Sequence, residues 1–233
     1  MATSTQALHI DVDGGTLDAD LALPQEPRGI VIFAHGSGSS RRSPRNVYVA
    51  SRLHTFAFGT LLFDLLTPAE QRIDERTREL RFDIPLLAER LRAAHSALAD
   101  DTSLPRWRGF FGASTGAAAA LVAAAAAPAT IDAIVSRGGR PDLAGAALAA
   151  VRAPTLLIVG GGDTVVLGLN EMALRELTCG KRLAVIPGAT HLFEEPGALD
   201  DVCDDATAWF DAHCHPSTPR AEHASQPLHR SKR

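Results

Sequence analysis

Three residues of this 233-residue chain carry the groups needed to attack a carbonyl carbon: Ser114, Asp163 and His191. A serine hydroxyl is a poor nucleophile until a base takes its proton, and an imidazole that ionises near neutral pH is suited to that work. A carboxylate on the other ring nitrogen would orient the ring and stabilise the imidazolium. Ser114 stands in Gly112-Ala113-Ser114-Thr115-Gly116, Asp163 follows Gly160-Gly161-Gly162, and His191 closes Pro187-Gly188-Ala189-Thr190-His191. Each residue alone also has a plain structural reading, as a helix N-cap, a turn aspartate or a loop histidine. Together, each placed just after a short apolar run, they point to acyl transfer. Glu194 and Glu195 are rival orienting acids, ranked below Asp163 because adjacency in sequence seldom gives the ring geometry required.

The elements that must hold these residues are legible. Trp107 to Phe111 is apolar and strand-forming, and Ala117 to Ala127 has high helix propensity. A serine between them, flanked by Gly112 and Gly116, is the nucleophile-elbow pattern. The strand and helix pass so close that a side chain at either glycine would collide. The Thr115 N–H, at the helix N-terminus, is free to face a developing negative charge.

Upstream, Leu8–Asp13 and Thr16–Leu23 alternate apolar and polar residues about a Gly14-Gly15 turn, which predicts an antiparallel hairpin. Buried strands are expected over Gly29–Ala34, Thr60–Leu65, Ile131–Ser136, Pro154–Val159 and Arg182–Ile186. Helices are expected from Ser43-Pro44 for about 15 residues, over Arg78–Leu98, Pro141–Ala150, Leu167–Leu177 and Asp200–His213. Residues 67–76 read as a polar loop. Strands alternate with helices from residue 29 on, which predicts an α/β fold: a doubly wound, mostly parallel sheet with helices on both faces. Such sheets bind ligands at the carboxyl ends of their strands, where Ser114, Asp163 and His191 fall.

Composition agrees with one globular domain over residues 1–215 and a disordered tail over 216–233. Hydrophobic residues make up 45% and charged residues 21%, and the formal charge of −4 favours neither nucleic acid nor an anionic membrane. No apolar run is long enough for a membrane span, and the first residues lack a secretory pattern. Cys179, Cys203 and Cys214 have neither a disulfide framework nor metal-site spacing. These features predict a cytoplasmic protein acting on a small molecule, with no metal or cofactor; His213-x-His215 is too sparse to read as a metal site. Oligomeric state stays open.

Four stretches in order carry a resemblance: His35-Gly36-Ser37-Gly38-Ser39, Gly112-Ala113-Ser114-Thr115-Gly116, Gly161-Gly162-Asp163 and Gly188-Ala189-Thr190-His191. They resemble the α/β-hydrolase superfamily, within it the dienelactone-hydrolase-like branch of small hydrolases without a lid domain. The order Ser, Asp, His is that of the superfamily. The resemblance implies an ester hydrolase working through an acyl-enzyme, with oxyanion-hole donors on Ser37 and Thr115 and with His35 as a structural ring. Dienelactone hydrolases proper use a cysteine nucleophile, so serine at 114 favours ordinary ester hydrolysis. A thioesterase, a peptidase, a perhydrolase or a non-catalytic binding protein on the same fold are the alternatives.

Arg41, with Arg42 and Arg45, and Arg137 lie near these motifs and are candidates for binding an acidic substrate; Arg137 reads equally as a brace for Asp163. Few residues separate Ser136 from the next helix, so an open site favouring short acyl chains is expected. Residues 67–76 are the place where a flap would form.

Overall fold

The computed structural model describes residues 2–214. The expected tail at 216–233, and His215 of the His213-x-His215 pair, lie outside them. Eight strands form one sheet: β1 (Thr3–Val12), β2 (Gly15–Pro24), β3 (Gly29–Ala34), β4 (Phe58–Phe63), β5 (Arg108–Ala113), β6 (Ala133–Arg137), β7 (Thr155–Gly160) and β8 (Lys181–Ile186). Their order is β1-β2-β4-β3-β5-β6-β7-β8. β1 and β2 are antiparallel, β2 is antiparallel to β4, and all other pairs are parallel. The hairpin turn is Asp13-Gly14, since Val12 pairs with Gly15, one residue earlier than the sequence suggests.

The central strands are apolar on both faces because both faces are covered. Ile30 and Ile32 of β3 join Phe110, Ile134 and Leu157 in one core, while Val31 and Phe33 join Phe111, Val135, Leu156 and Ile158 in the other. Each fully buried side chain of this size contributes about 1.5–3 kcal/mol. The first core is closed by α3 (Ile84–Ala99) and α4 (Thr115–Ala126), the second by α1 (Pro44–His54) and α6 (Ala198–His213). α5 (Thr164–Glu176) follows β7. The alanines of α4 are buried nearly all round, which lets this helix sit tightly between sheet and neighbours. Among the described residues, no helix is long and apolar enough to cross a membrane.

Residues 67–76 correct the sequence reading. Pro68–Thr77 forms α2, an α-helix. Its only buried residue is Asp74, so no apolar stripe announced it. Polar groups hold it instead. The Thr67 hydroxyl accepts from the Glu70 N–H at 3.2 Å, and the Glu70 carboxylate accepts from the Thr67 N–H at 2.8 Å, a capping box. Arg90, itself buried, donates to Glu70 at 2.8 Å, and Arg81 donates to Asp74 at 2.7 Å. The helix expected over Arg78–Leu98 is divided: a 3₁₀ turn covers Leu80–Phe82, and Asp83 then caps α3. The helix after Ser43 spans 11 residues rather than about 15, and Pro141–Ala150 is 3₁₀, broken at Gly145 where φ is 50°.

Candidate active site

Ser114 sits between β5 and α4 at φ 50° and ψ −120°, a conformation that costs a non-glycine residue about 1–3 kcal/mol. Its surroundings impose it. The Ser114 N–H donates to the Arg137 carbonyl at 3.2 Å, and the Ser114 carbonyl accepts from Ala117 and Arg140, both at 3.1 Å. The glycine requirement holds at both flanks. A Cβ on Gly112 would lie 2.4 Å from Ala117 Cα, and one on Gly116 would lie 2.3 Å from the Ala34 carbonyl oxygen.

Asp163 caps α5, accepting weakly from the Val166 N–H at 3.4 Å. Its other oxygen lies 2.7 Å from His191 Nδ1. Glu195 is instead engaged with the Thr190 hydroxyl, which holds its carboxyl below the usual range, and Glu194 pairs with Arg45. Of the three acids weighed, Asp163 is therefore the one that meets the ring. A Cβ on Gly138 would lie 3.7 Å from His191 Cε1. Gly138 directly follows Arg137, the acceptor of the Ser114 N–H, so β6 brings the histidine and serine loops to one place.

His35 makes two bonds of opposite sense. The Leu65 N–H donates to Nε2 at 3.1 Å, which leaves the proton on Nδ1 to donate to the Gly36 carbonyl at 3.0 Å. Burial pushes its pKa down, so the neutral ring is the form present. It ties the chain after β3 to the chain after β4. A Cβ on Gly36 would lie 3.2 Å from Ser114 Cβ, which sets the Gly36–Ser37 peptide against the serine. Ser37 and Thr115 line one narrow cavity, and neither backbone N–H has an acceptor among the described residues.

That cavity is not bare. Gln71 and Asp74 of α2, with Arg81, Leu65, Leu66 and Leu87, form its wall. Sequence reasoning named residues 67–76 only as the place of a flap and missed Arg81, Leu65, Leu66 and Leu87, although Thr67-Pro68-x-Glu70 was a readable helix start.

The arginines divide. Arg41 is not available to a substrate: it faces Asp64, Asp20 and Asp18, and its N–H donates to Asp64 at 2.8 Å. Its side chain is 15% exposed, and it fastens the loop after β3 to β2 and to the end of β4. Arg137 does not brace Asp163. It is 8% exposed, its side chain makes no hydrogen bond among the described residues, and burial together with nearby Arg45 lowers its pKa to about 10.

A dienelactone hydrolase of known structure from Anabaena variabilis is 54% identical to this chain, with a TM-score of 0.88 over 91% of this chain and 98% of that one. The chain belongs to the dienelactone hydrolase family of α/β-hydrolases. Est1E from Butyrivibrio proteoclasticus shares the fold of this chain at 18% identity, with a TM-score of 0.74 over 89% of this chain and 98% of that chain. A protein of Mycobacterium tuberculosis (strain H37Rv), which bears the provisional name of a phosphoribosyl transferase, is 58% identical over 200 residues. The match takes in 84% of this chain and 44% of that relative, so the chain spans less than half of its length. No family model matches the chain.

Proposed function

We propose that this hydrolase cleaves small carboxylic esters through Ser114, His191 and Asp163. The observation that carries the reading is the 2.7 Å contact between His191 Nδ1 and Asp163, found beside a serine held at positive φ. With Nδ1–H directed at the carboxylate, Nε2 keeps its lone pair and can take the Ser114 proton as Oγ attacks the carbonyl. The tetrahedral oxyanion would be received by the free N–H groups of Ser37 and Thr115, the second at the N-terminus of α4. His191 then returns the proton to the leaving alcohol, and water repeats the cycle on the acyl-enzyme. His35 takes no proton, since both its nitrogens are engaged with backbone.

The transferase name of the mycobacterial relative covers a protein of which more than half lies outside the match, and the elbow and the histidine–aspartate contact support hydrolysis for the part shared. The three free cysteines support a reducing compartment such as the cytoplasm. A purified Ser114→Ala or His191→Ala variant is expected to lose more than about a thousandfold in turnover of an activated ester. Wild-type protein should also be labelled at Ser114 by a fluorophosphonate. Near wild-type turnover in either folded variant would remove the assignment.

A further inference from the structure

The two edges of the sheet are built differently. β8, at one end, is six residues long and begins with Lys181 and Arg182, both exposed. Charged residues of this kind keep a free strand from pairing with another. β1, at the other end, is ten residues long and contains no lysine, arginine or proline. It has no bulge either: its pairing with β2 runs unbroken from Thr3 opposite Pro24 to Val12 opposite Gly15. All of it but Leu8, Ile10 and Val12 is exposed. A long, regular edge without these guards is a template for a further strand. The direction of its free groups follows from the pairing. The Asp18 carbonyl accepts from the Asp64 N–H at 2.9 Å, so Asp18 of β2 faces β4. His9 stands opposite Asp18, so its N–H and C=O point away from β2. By alternation, so do those of Thr3, Thr5, Ala7 and Asp11. No other backbone group among the described residues meets them.

We propose that β1 pairs antiparallel with β1 of a second copy of this chain, joining the two sheets edge to edge about a two-fold axis at Ala7. A two-fold contact requires a surface complementary to itself, and the sequence of β1 supplies one. Outward groups must meet outward groups, so Thr3, Thr5, Ala7, His9 and Asp11 pair among themselves. The register centred on Ala7 engages all of them, in about ten hydrogen bonds. A slip either way leaves Thr3 or Asp11 without a partner in the strand. This register places Thr3 opposite Asp11, Thr5 opposite His9 and Ala7 opposite its own counterpart, so no like charges meet. A register centred on Asp11 would instead set two carboxylates face to face. On the other face Gln6 lies opposite Leu8, and its methylenes would cover that half-buried side chain. β2, β4 and β3 lie between β1 and β5, so the contact leaves the Ser114 region of both copies open.

Analytical ultracentrifugation of the full chain between about 1 and about 300 μM should show a reversible monomer–dimer equilibrium. Ala7→Lys sets two ammonium groups opposite each other and should raise the dissociation constant about tenfold or more. Ala7→Pro removes an outward N–H that β2 does not use, and should do the same. A short thiol cross-linker reads the register. With Ala7→Cys the two new thiols meet at the axis, their Cα atoms about 5.5 Å apart. With Thr3→Cys they stand at opposite ends of the paired strands, about 27 Å apart. Covalent dimer should therefore form readily with Ala7→Cys and stay at the wild-type background with Thr3→Cys. A wild-type chain that is monomeric throughout overturns the proposal, the edge then being left to a different chain. So does a dimer that Ala7→Lys leaves as tight as before, or equal cross-linking of the two cysteine variants. Ala7 and Thr3 are exposed and lie outside the core, and circular dichroism checks that each variant is folded. The cross-linking arm reads even if Ala7→Pro fails to fold.

Discussion

Replacing Gly116 with alanine sets two opposed effects against each other. In the interior of a helix the change gains up to about 1 kcal/mol from propensity. Here the new Cβ would meet the Ala34 carbonyl oxygen at 2.3 Å, the His35 carbonyl oxygen at 2.5 Å and the Ala34 carbonyl carbon at 2.7 Å. All three are backbone atoms of the central sheet and the loop after it, so no side chain can swing aside. Contacts under 3.0 Å are essentially never seen for a Cβ, so relief requires a shift of at least 3.0 − 2.3 = 0.7 Å. Overpacking of this kind costs about 1–3 kcal/mol, and a rigid neighbour puts it in the upper part of that range. A net loss of about 1–2 kcal/mol remains, which is roughly 2–8 °C in Tm for a domain of this size. The catalytic effect should be larger in proportion. The displaced backbone leads into Gly36-Ser37, and a misplacement near 1 Å costs on the order of a hundredfold. Steady-state kinetics on a short-chain p-nitrophenyl ester, with thermal melting in parallel, reads both. Gly168→Ala in α5 is the contrast: no atom lies within 4 Å of its Cβ, so it should gain about 0.4–1 kcal/mol and keep its kcat/KM. If Gly116→Ala retains wild-type kcat/KM, the close crossing of α4 over β3 does not govern the serine's geometry.

Two further outcomes are expected. The hollow beside Ser37 and Thr115 is narrow, and Gln71, Asp74 and Arg81 give part of its wall a polar character. Acetyl to butyryl esters should therefore be preferred to dodecanoyl, and a steady rise of kcat/KM with chain length, at about 0.8 kcal/mol per methylene, would contradict this. Burial holds the pKa of His35, His54 and His95 below the ordinary value of 6.5. The unfolded chain takes up protons below about pH 6.5 where the folded chain does not, so stability is full above that pH and falls as the pH drops from there. Tm should decline between pH 7 and pH 5, with a shallower slope for His54→Gln; a Tm constant over this interval would show that these rings are not kept neutral.

What the sequence disclosed follows from which interactions leave a periodic trace. The parallel strands are apolar on both faces, so β3, β5 and β7 are visible as runs, and the residues just past β5, β7 and β8 could be picked as a set. The elbow glycines were readable because a single requirement, close backbone approach, excludes every other residue. α2 was not, because its stability comes from Thr67, Glu70, Asp74, Arg81 and Arg90, a network with no apolar repeat. The partner of an arginine is equally silent in sequence. Arg41 and Arg137 look alike there, yet Asp18, Asp20 and Asp64, distant in the chain, surround one of them, and no carboxylate bonds to the other.

The two bonds of His35 have a mechanical consequence. One imidazole spans Gly36, at the lip that would hold the oxyanion, and Leu65, three residues before the helix that walls the cavity. The two walls are therefore hinged on a common pin. A substitution in α2 chosen only to widen the acyl side would transmit its displacement through Leu65 to the other lip, and turnover would drift along with selectivity. Reshaping the proposed site for a bulkier acid thus calls for changes made in pairs, one on each side of the ring.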